Sequence, residues 1–127
     1  MTDLNRTVLI VDDEILIALG FRIQIETMGL TVCDIAATAE QAIACAQTHR
    51  PAVILMDLRL KGDKDGVDAA AAIHENVGSK VIFITGSREP ATIDRIHRNH
   101  PFALLFKPVS DQELANTVAA ALAEAYR

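Results

Sequence analysis

Short, nearly unbroken runs of β-branched residues alternate along this chain with longer segments whose apolar residues recur at helical spacing. That alternation restricts the fold more than any other feature. Thr7 to Asp12 (TVLIVD) is the first such run, the pattern of a strand covered on both faces. Glu14 to Met28 has helical periodicity, and Gly29 is its natural stop. Thr31 to Ala36 reads as a second strand, and Thr38 as the N-cap of an Ala-rich helix through His49, closed by Pro51. Ala52 to Met56 is a third strand that delivers Asp57. The polar stretch Leu58 to Gly66 (LRLKGDKDG) contains two glycines and is a loop. A helix from Val67 to Asn76 is stopped by Gly78, and Lys80 to Thr85 is a fourth strand. Glu89 to Asn99 is a more polar helix, and Phe102 to Phe106 a fifth strand. Ser110 opens a last helix reaching Tyr126, with Glu113 completing an S-x-x-E capping box.

Five strands alternating with five helices imply an α/β fold, a doubly wound parallel sheet, because each parallel pair needs a right-handed crossover. No linker, repeat or low-complexity tract interrupts the 127 residues, so residues 1–127 read as a single domain. A chain of this size buries roughly two-thirds of its unfolded surface, enough for a core without disulfides. Aromatics are only 4% of residues, so that core must come from Ile, Leu, Val and Ala. Gly20, inside the first helix, is expected to mark close packing.

The net charge of −5, with no basic stripe, argues against nucleic acid as a direct partner. No apolar run approaches the roughly 20 residues that span a bilayer, so no membrane partner is expected. The N-terminal residues lack a signal-peptide hydrophobic region, which predicts a cytoplasmic protein. Cys33 and Cys45 are expected as buried, reduced thiols. His49, His74, His97 and His100 match no ligand spacing and are expected on the surface.

Open parallel sheets bind ligands beyond the carboxyl ends of their strands, where strand order reverses. The first strand here ends in Asp12-Asp13, the third in Asp57 and the fourth in Thr85, while the fifth runs into Lys107-Pro108. In the order 2-1-3-4-5, strands one and three are neighbours, so Asp12, Asp13 and Asp57 converge. Two carboxylates about 4 Å apart repel by roughly 4 kcal/mol at an effective dielectric of 20, and a third adds to it. A hard divalent cation such as Mg²⁺ relieves that repulsion and can then hold a phosphoryl oxygen. Lys107 supplies a cation and Thr85 a hydroxyl opposite the acids, while Asp57 is a carboxylate nucleophile able to form an acyl phosphate.

These five elements, in this order and at strand ends, resemble the signature of response-regulator receiver domains, across about Thr7 to Tyr126. The resemblance implies a single flavodoxin-like receiver domain of two-component signalling. It implies Asp57 as phosphoacceptor, taking phosphate from a sensor histidine kinase, a phosphotransfer protein or a small-molecule donor. Asp12 and Asp13, with Asp57, then look like the Mg²⁺-binding acids, joined by the backbone carbonyl of Arg59. Thr85 and Lys107 look like the phosphoryl-sensing pair, and Lys107-Pro108 like the family's cis peptide. Output would run through contacts with a downstream protein.

Two departures from the family pattern stand out. Leu104 occupies the position, three before the lysine, where receivers usually carry a Tyr or Phe that reports phosphorylation. The loop after Asp57 also lacks the common proline. Phe83-Ile84-Thr85-Gly86 partly resembles the "FAT GUY" receivers, which share the missing aromatic. With Leu104 in place, the expected response moves to the loop Gly86 to Pro90 and the fourth helix. Two other functions compete. A haloacid-dehalogenase-like Mg²⁺ phosphatase needs a second acid two residues after the nucleophile, where this chain has Arg59. A pseudo-receiver, an interaction module that takes no phosphate, is opposed by the intact acids and lysine.

Overall fold

The computed structural model describes residues 4–126. Ten elements follow one another in the anticipated alternation: β1 (Asn5–Val11), α1 (Ile15–Thr27), β2 (Thr31–Ala36), α2 (Ala39–His49), β3 (Pro51–Asp57), α3 (Gly66–Asn76), β4 (Lys80–Thr85), α4 (Pro90–His97), β5 (Ala103–Phe106) and α5 (Asp111–Ala125). The strands form one parallel sheet in the order β2-β1-β3-β4-β5. The expected fold and strand order are therefore observed.

The interior strands read as unbroken apolar runs because both of their faces are covered. Val8 and Ile10 of β1 join Val53, Leu55, Ile82 and Ile84 in the layer beneath α1 and α5. The alternating residues Leu9, Val11, Ile54, Met56 and Phe83 enter the opposite layer, beneath α2, α3 and α4. Each such large side chain, fully buried, contributes about 1.5–3 kcal/mol, so these two layers hold the strand ends in place. β2 departs from regular pairing. Val8 faces Val32 but Leu9 faces Asp34, which leaves Cys33 as an extra, bulged residue.

The helix boundaries follow local chemistry. Thr38 Oγ accepts the Gln41 N–H at 3.0 Å, as its N-cap role requires. Gly29 and Gly78 adopt φ of +83° and +88° just past α1 and α3, a conformation that residues with a side chain seldom hold. At α5, Ser110 Oγ accepts the Glu113 N–H at 3.1 Å, which is one half of the expected capping box. The reciprocal box forms instead at α3, where Asp65 and Asp68 bond each other's backbone. α4 spans only Pro90–His97, shorter than the periodicity suggested, and buries one residue completely, Ile96.

Gly20 reverses the expectation placed on it. It is exposed, and a Cβ added there meets nothing within 4 Å. Gly20→Ala is expected to raise stability by about 0.5–1 kcal/mol, since it removes helix-interior glycine without a clash. A urea midpoint unchanged or lowered in that variant would show that the position is constrained after all.

Candidate functional site

Backbone pairing brings the site together. β1 and β3 are neighbours, with Val11 opposite Met56, so the residues that follow both strands emerge side by side. Thr85 is paired with Phe106, and the Lys107 N–H donates to the Thr85 carbonyl at 2.9 Å, which aims Lys107 over the same edge. Asp12, Asp13 and Asp57 offer carboxylate oxygens that all lie within 4.8 Å of one another. Lys107 Nζ sits 3.4 Å from Asp57 Oδ1 and 3.7 Å from Asp12 Oδ2. The Lys107-Pro108 peptide is cis.

The electrostatics are those of a crowded acidic pocket. Burial pushes the Asp57 carboxyl up to about 6, and the Asp12 charge adds to the rise, while the Lys107 ammonium pulls the other way. Asp12 is nearly inaccessible, 3% exposed. Its Oδ1 accepts the Glu14 N–H at 2.9 Å, but its buried Oδ2 has no hydrogen-bond donor. A buried carboxylate oxygen that accepts no hydrogen bond, with Lys107 as its ion-pair partner at 3.7 Å and two more carboxylates beside it, fits a hard divalent cation, and an all-oxygen donor set is what Mg²⁺ takes.

Thr85 is also 3% exposed. Its Oγ accepts the Ser87 N–H at 3.0 Å, and a hydroxyl that accepts in this way still has its own proton to donate. Asp13, Glu14, Asp57, Arg59, Thr85, Ser87, Arg88, Glu89 and Lys107 line a cleft of about 610 Å³ above these groups. Arg59 lies on that lining, though its side chain is exposed.

Several lining residues had no signal in the sequence. Arg88 is one: its guanidinium stacks 4.2 Å from the centre of the Phe106 ring, at the β5 end that also carries Lys107. Leu104, by contrast, packs into the α2–α3–α4 layer. Cys33 and Cys45 are free thiols but only half-buried, not buried as expected: Cys33 lies on β2, the edge strand of the sheet, and Cys45 on α2. Burial and then the Asp34 carboxylate push Cys45 up to about 11, and its thiol lies 3.4 Å from Asp34 Oδ2. His74, His97 and His100 are exposed and His49 half-buried; the His74 and His100 rings stack at 4.1 Å.

The profile of the response regulator receiver domain matches residues 8–119. The chain belongs to the response-regulator receiver family. Its acids, Thr85 and Lys107 all fall inside the matched stretch. The chain is similar to the transcriptional regulatory protein PdtaR of Mycobacterium tuberculosis, 28% identical over 109 residues, covering 86% of this chain and 53% of that one. It is also similar to the phyllosphere-induced regulator PhyR of Methylorubrum extorquens, 31% identical over 121 residues, covering 94% of this chain and 45% of the relative. This receiver thus spans about half the length of the curated relatives it matches. Among solved structures, it resembles the receiver domain of a modulated diguanylate cyclase from Desulfovibrio desulfuricans, with a TM-score of 0.88, 37% identity and coverage of 94% and 95%. A CheY-like receiver from Methanospirillum hungatei matches with a TM-score of 0.86, 27% identity and coverage of 95% and 96%.

Proposed function

We propose that this receiver accepts a phosphoryl group on Asp57 and signals the change through protein contacts. The observation that carries this reading is the convergence of Asp12, Asp13 and Asp57 within 4.8 Å, with Lys107 in contact with two of them. Residues 1–127 act as one receiver unit. Asp12, Asp13, Asp57 and the Arg59 carbonyl hold Mg²⁺, which neutralises charge on the transferring phosphoryl group when bound.

The chain's own groups do the rest. An Asp57 carboxylate oxygen forms the new P–O bond as the bond from phosphorus to the donor breaks. Lys107 then balances the added negative charge, and Thr85 donates its hydroxyl proton to a phosphoryl oxygen. Burial raises the Asp57 carboxyl in the ion-free site, while the Lys107 ammonium and a bound cation favour the carboxylate, the form that acts as nucleophile. The donor is a sensor histidine kinase or a phosphotransfer protein in the cytoplasm. α1 presents Leu16 at 80% and Ile23 at 66% exposure, and an apolar groove lined by Leu16, Ile17, Phe21 and Val109 reaches Lys107. An apolar surface beside the acceptor suits a protein partner. No helix among the described residues is long and apolar enough to cross a membrane.

Incubation with acetyl phosphate and Mg²⁺, followed by intact mass measurement, is expected to add one phosphoryl group that hydroxylamine removes. The yield should decline on acidification, as protonation of the carboxylates releases Mg²⁺ and removes the nucleophile. An unmodified mass at pH 7.5 with millimolar Mg²⁺ would leave only the interaction-module alternative.

A further inference from the structure

Arg95, on α4, reaches across to the N-terminus of α3. Its guanidinium grips Asp65 with two contacts, Nη1 to Oδ2 at 2.5 Å and Nη2 to Oδ1 at 3.2 Å, and Nη2 also meets Asp68 Oδ1 at 3.2 Å. Both acids already hold each other: Asp65 Oδ1 accepts the Val67 and Asp68 N–H groups, and Asp68 Oδ2 accepts the Asp65 N–H at 2.9 Å. Arg95 therefore clamps both halves of one capping box. Burial alone would raise the Asp65 carboxyl, yet hydrogen bonds from Arg95 and the Asp68 backbone hold it below the ordinary range.

The clamped residue adjoins the point where the start of α3 touches the acceptor strand. Gly66 follows Asp65 and packs so tightly on the Asp57 carbonyl that a Cβ there would stand 2.2 Å from it. The Gly66 N–H closes the loop by donating to the Leu58 carbonyl at 2.8 Å. Between those anchors runs the segment that carries Arg59. α4 itself is lightly fastened, with one fully buried residue and no side-chain cap at its start.

We infer that Arg95 is a positioning residue for the Asp57 site: through Asp65 it fixes the 58–65 loop that bears the Arg59 carbonyl, and it couples that loop to α4. This rests on the reading of Asp57, Asp12, Asp13 and Arg59 proposed above. It supplies a route to α4 that does not use the position occupied by Leu104. Coupling of this kind is reciprocal, so a site that binds its ligands more tightly with the clamp closed also tightens the clamp when they bind.

Mg²⁺ titrations of the full chain, followed by amide NMR shifts, test it with Arg95→Ala and Arg95→Lys. Long-range charge alone gives the opposite sign: deleting a cation near an acidic cluster tightens Mg²⁺ binding. Positioning instead requires both variants to bind Mg²⁺ at least three-fold more weakly while melting within a few degrees of wild type, since lysine keeps the charge but not the two-pronged grip. Mg²⁺ with beryllofluoride should also slow hydrogen exchange of Ile93 to His97 amides in wild type, and not in Arg95→Ala. Unchanged or tighter Mg²⁺ binding in Arg95→Ala overturns the inference. A wild-type protein whose Asp12, Asp13 and Asp57 signals ignore Mg²⁺ overturns the underlying site reading, and the inference with it.

Discussion

Asp57→Asn is expected to make the ion-free protein more stable at pH 7 while abolishing phosphoryl uptake completely. The folded state raises the Asp57 carboxyl from its ordinary value of 3.8 to about 6, chiefly by burial, so the native protein binds this proton more tightly than the unfolded chain does. The sign follows from linkage. The stability that this group contributes is fully present below about pH 4 and is lost as pH rises through about 6. At pH 7 the ionised carboxylate costs the fold roughly 2 kcal/mol, after allowance for partial exposure and screening. Asparagine has the same shape without the charge, so Asp57→Asn should melt roughly 5–10 °C higher at pH 7 and nearly level with wild type at pH 4. Saturating Mg²⁺ should narrow the gap, because binding to the native state stabilises wild type by mass action. Thermal melts at the two pH values, with and without Mg²⁺, check each part. A variant that melts below wild type at pH 7 would mean that the Lys107 contact outweighs the burial cost.

Gly66→Ala is expected to have the largest effect on folding of any single methyl addition in this chain. The added carbon would stand 2.2 Å from the Asp57 carbonyl oxygen and 3.0 Å from Met56 Cγ. The first is backbone of a buried strand, so the loop or the start of α3 must move. Overpacking of this kind costs about 3 kcal/mol, equivalent to roughly 10 °C in Tm. The displacement also bears on Asp57 itself, so Mg²⁺ binding should weaken in the fraction that folds. Guanidinium unfolding measures the first effect. A Gly66→Ala protein as stable as wild type would show that the β3–α3 junction is far more yielding than its geometry indicates.

The legible part of the fold was the part where one residue type answers one physical demand. β3 and β4 are covered on both faces, so their sequences are continuous apolar runs, and their ends could be placed from the runs alone. Thr38, Gly29 and Gly78 punctuate helices through their own backbone or hydroxyl chemistry, which acts over three or four residues. α1 misled in one respect. Its periodicity indicated a helix, as observed, but only Ala18 and Ile25 are fully buried, and several of its large apolar residues face outward. Periodicity records which residues are apolar. It does not record whether another element lies against them.

The candidate site divides in the same way. Asp12, Asp13, Asp57, Thr85 and Lys107 could be selected because each stands where a strand stops, and strand ends are readable. Arg88 and Arg95 carried no such mark, since an arginine in a polar segment looks the same whether it is solvated or engaged. Gly66 was read only as the end of a loop, and Gly20 as the tightly packed glycine. The reverse is true, because close approach depends on which backbone passes nearby.

The order of elements, the chemistry at strand ends and most helix caps were therefore determined by the sequence itself, through interactions spanning a few residues. The burial of the Asp12 carboxylate, the raised Asp57 carboxyl and the Arg95 clamp were decided only in the tertiary structure. Each of those depends on groups distant in the chain reaching contact distance, 30 residues apart for Arg95 and Asp65 and 50 for Lys107 and Asp57, and on the burial that only a completed sheet supplies.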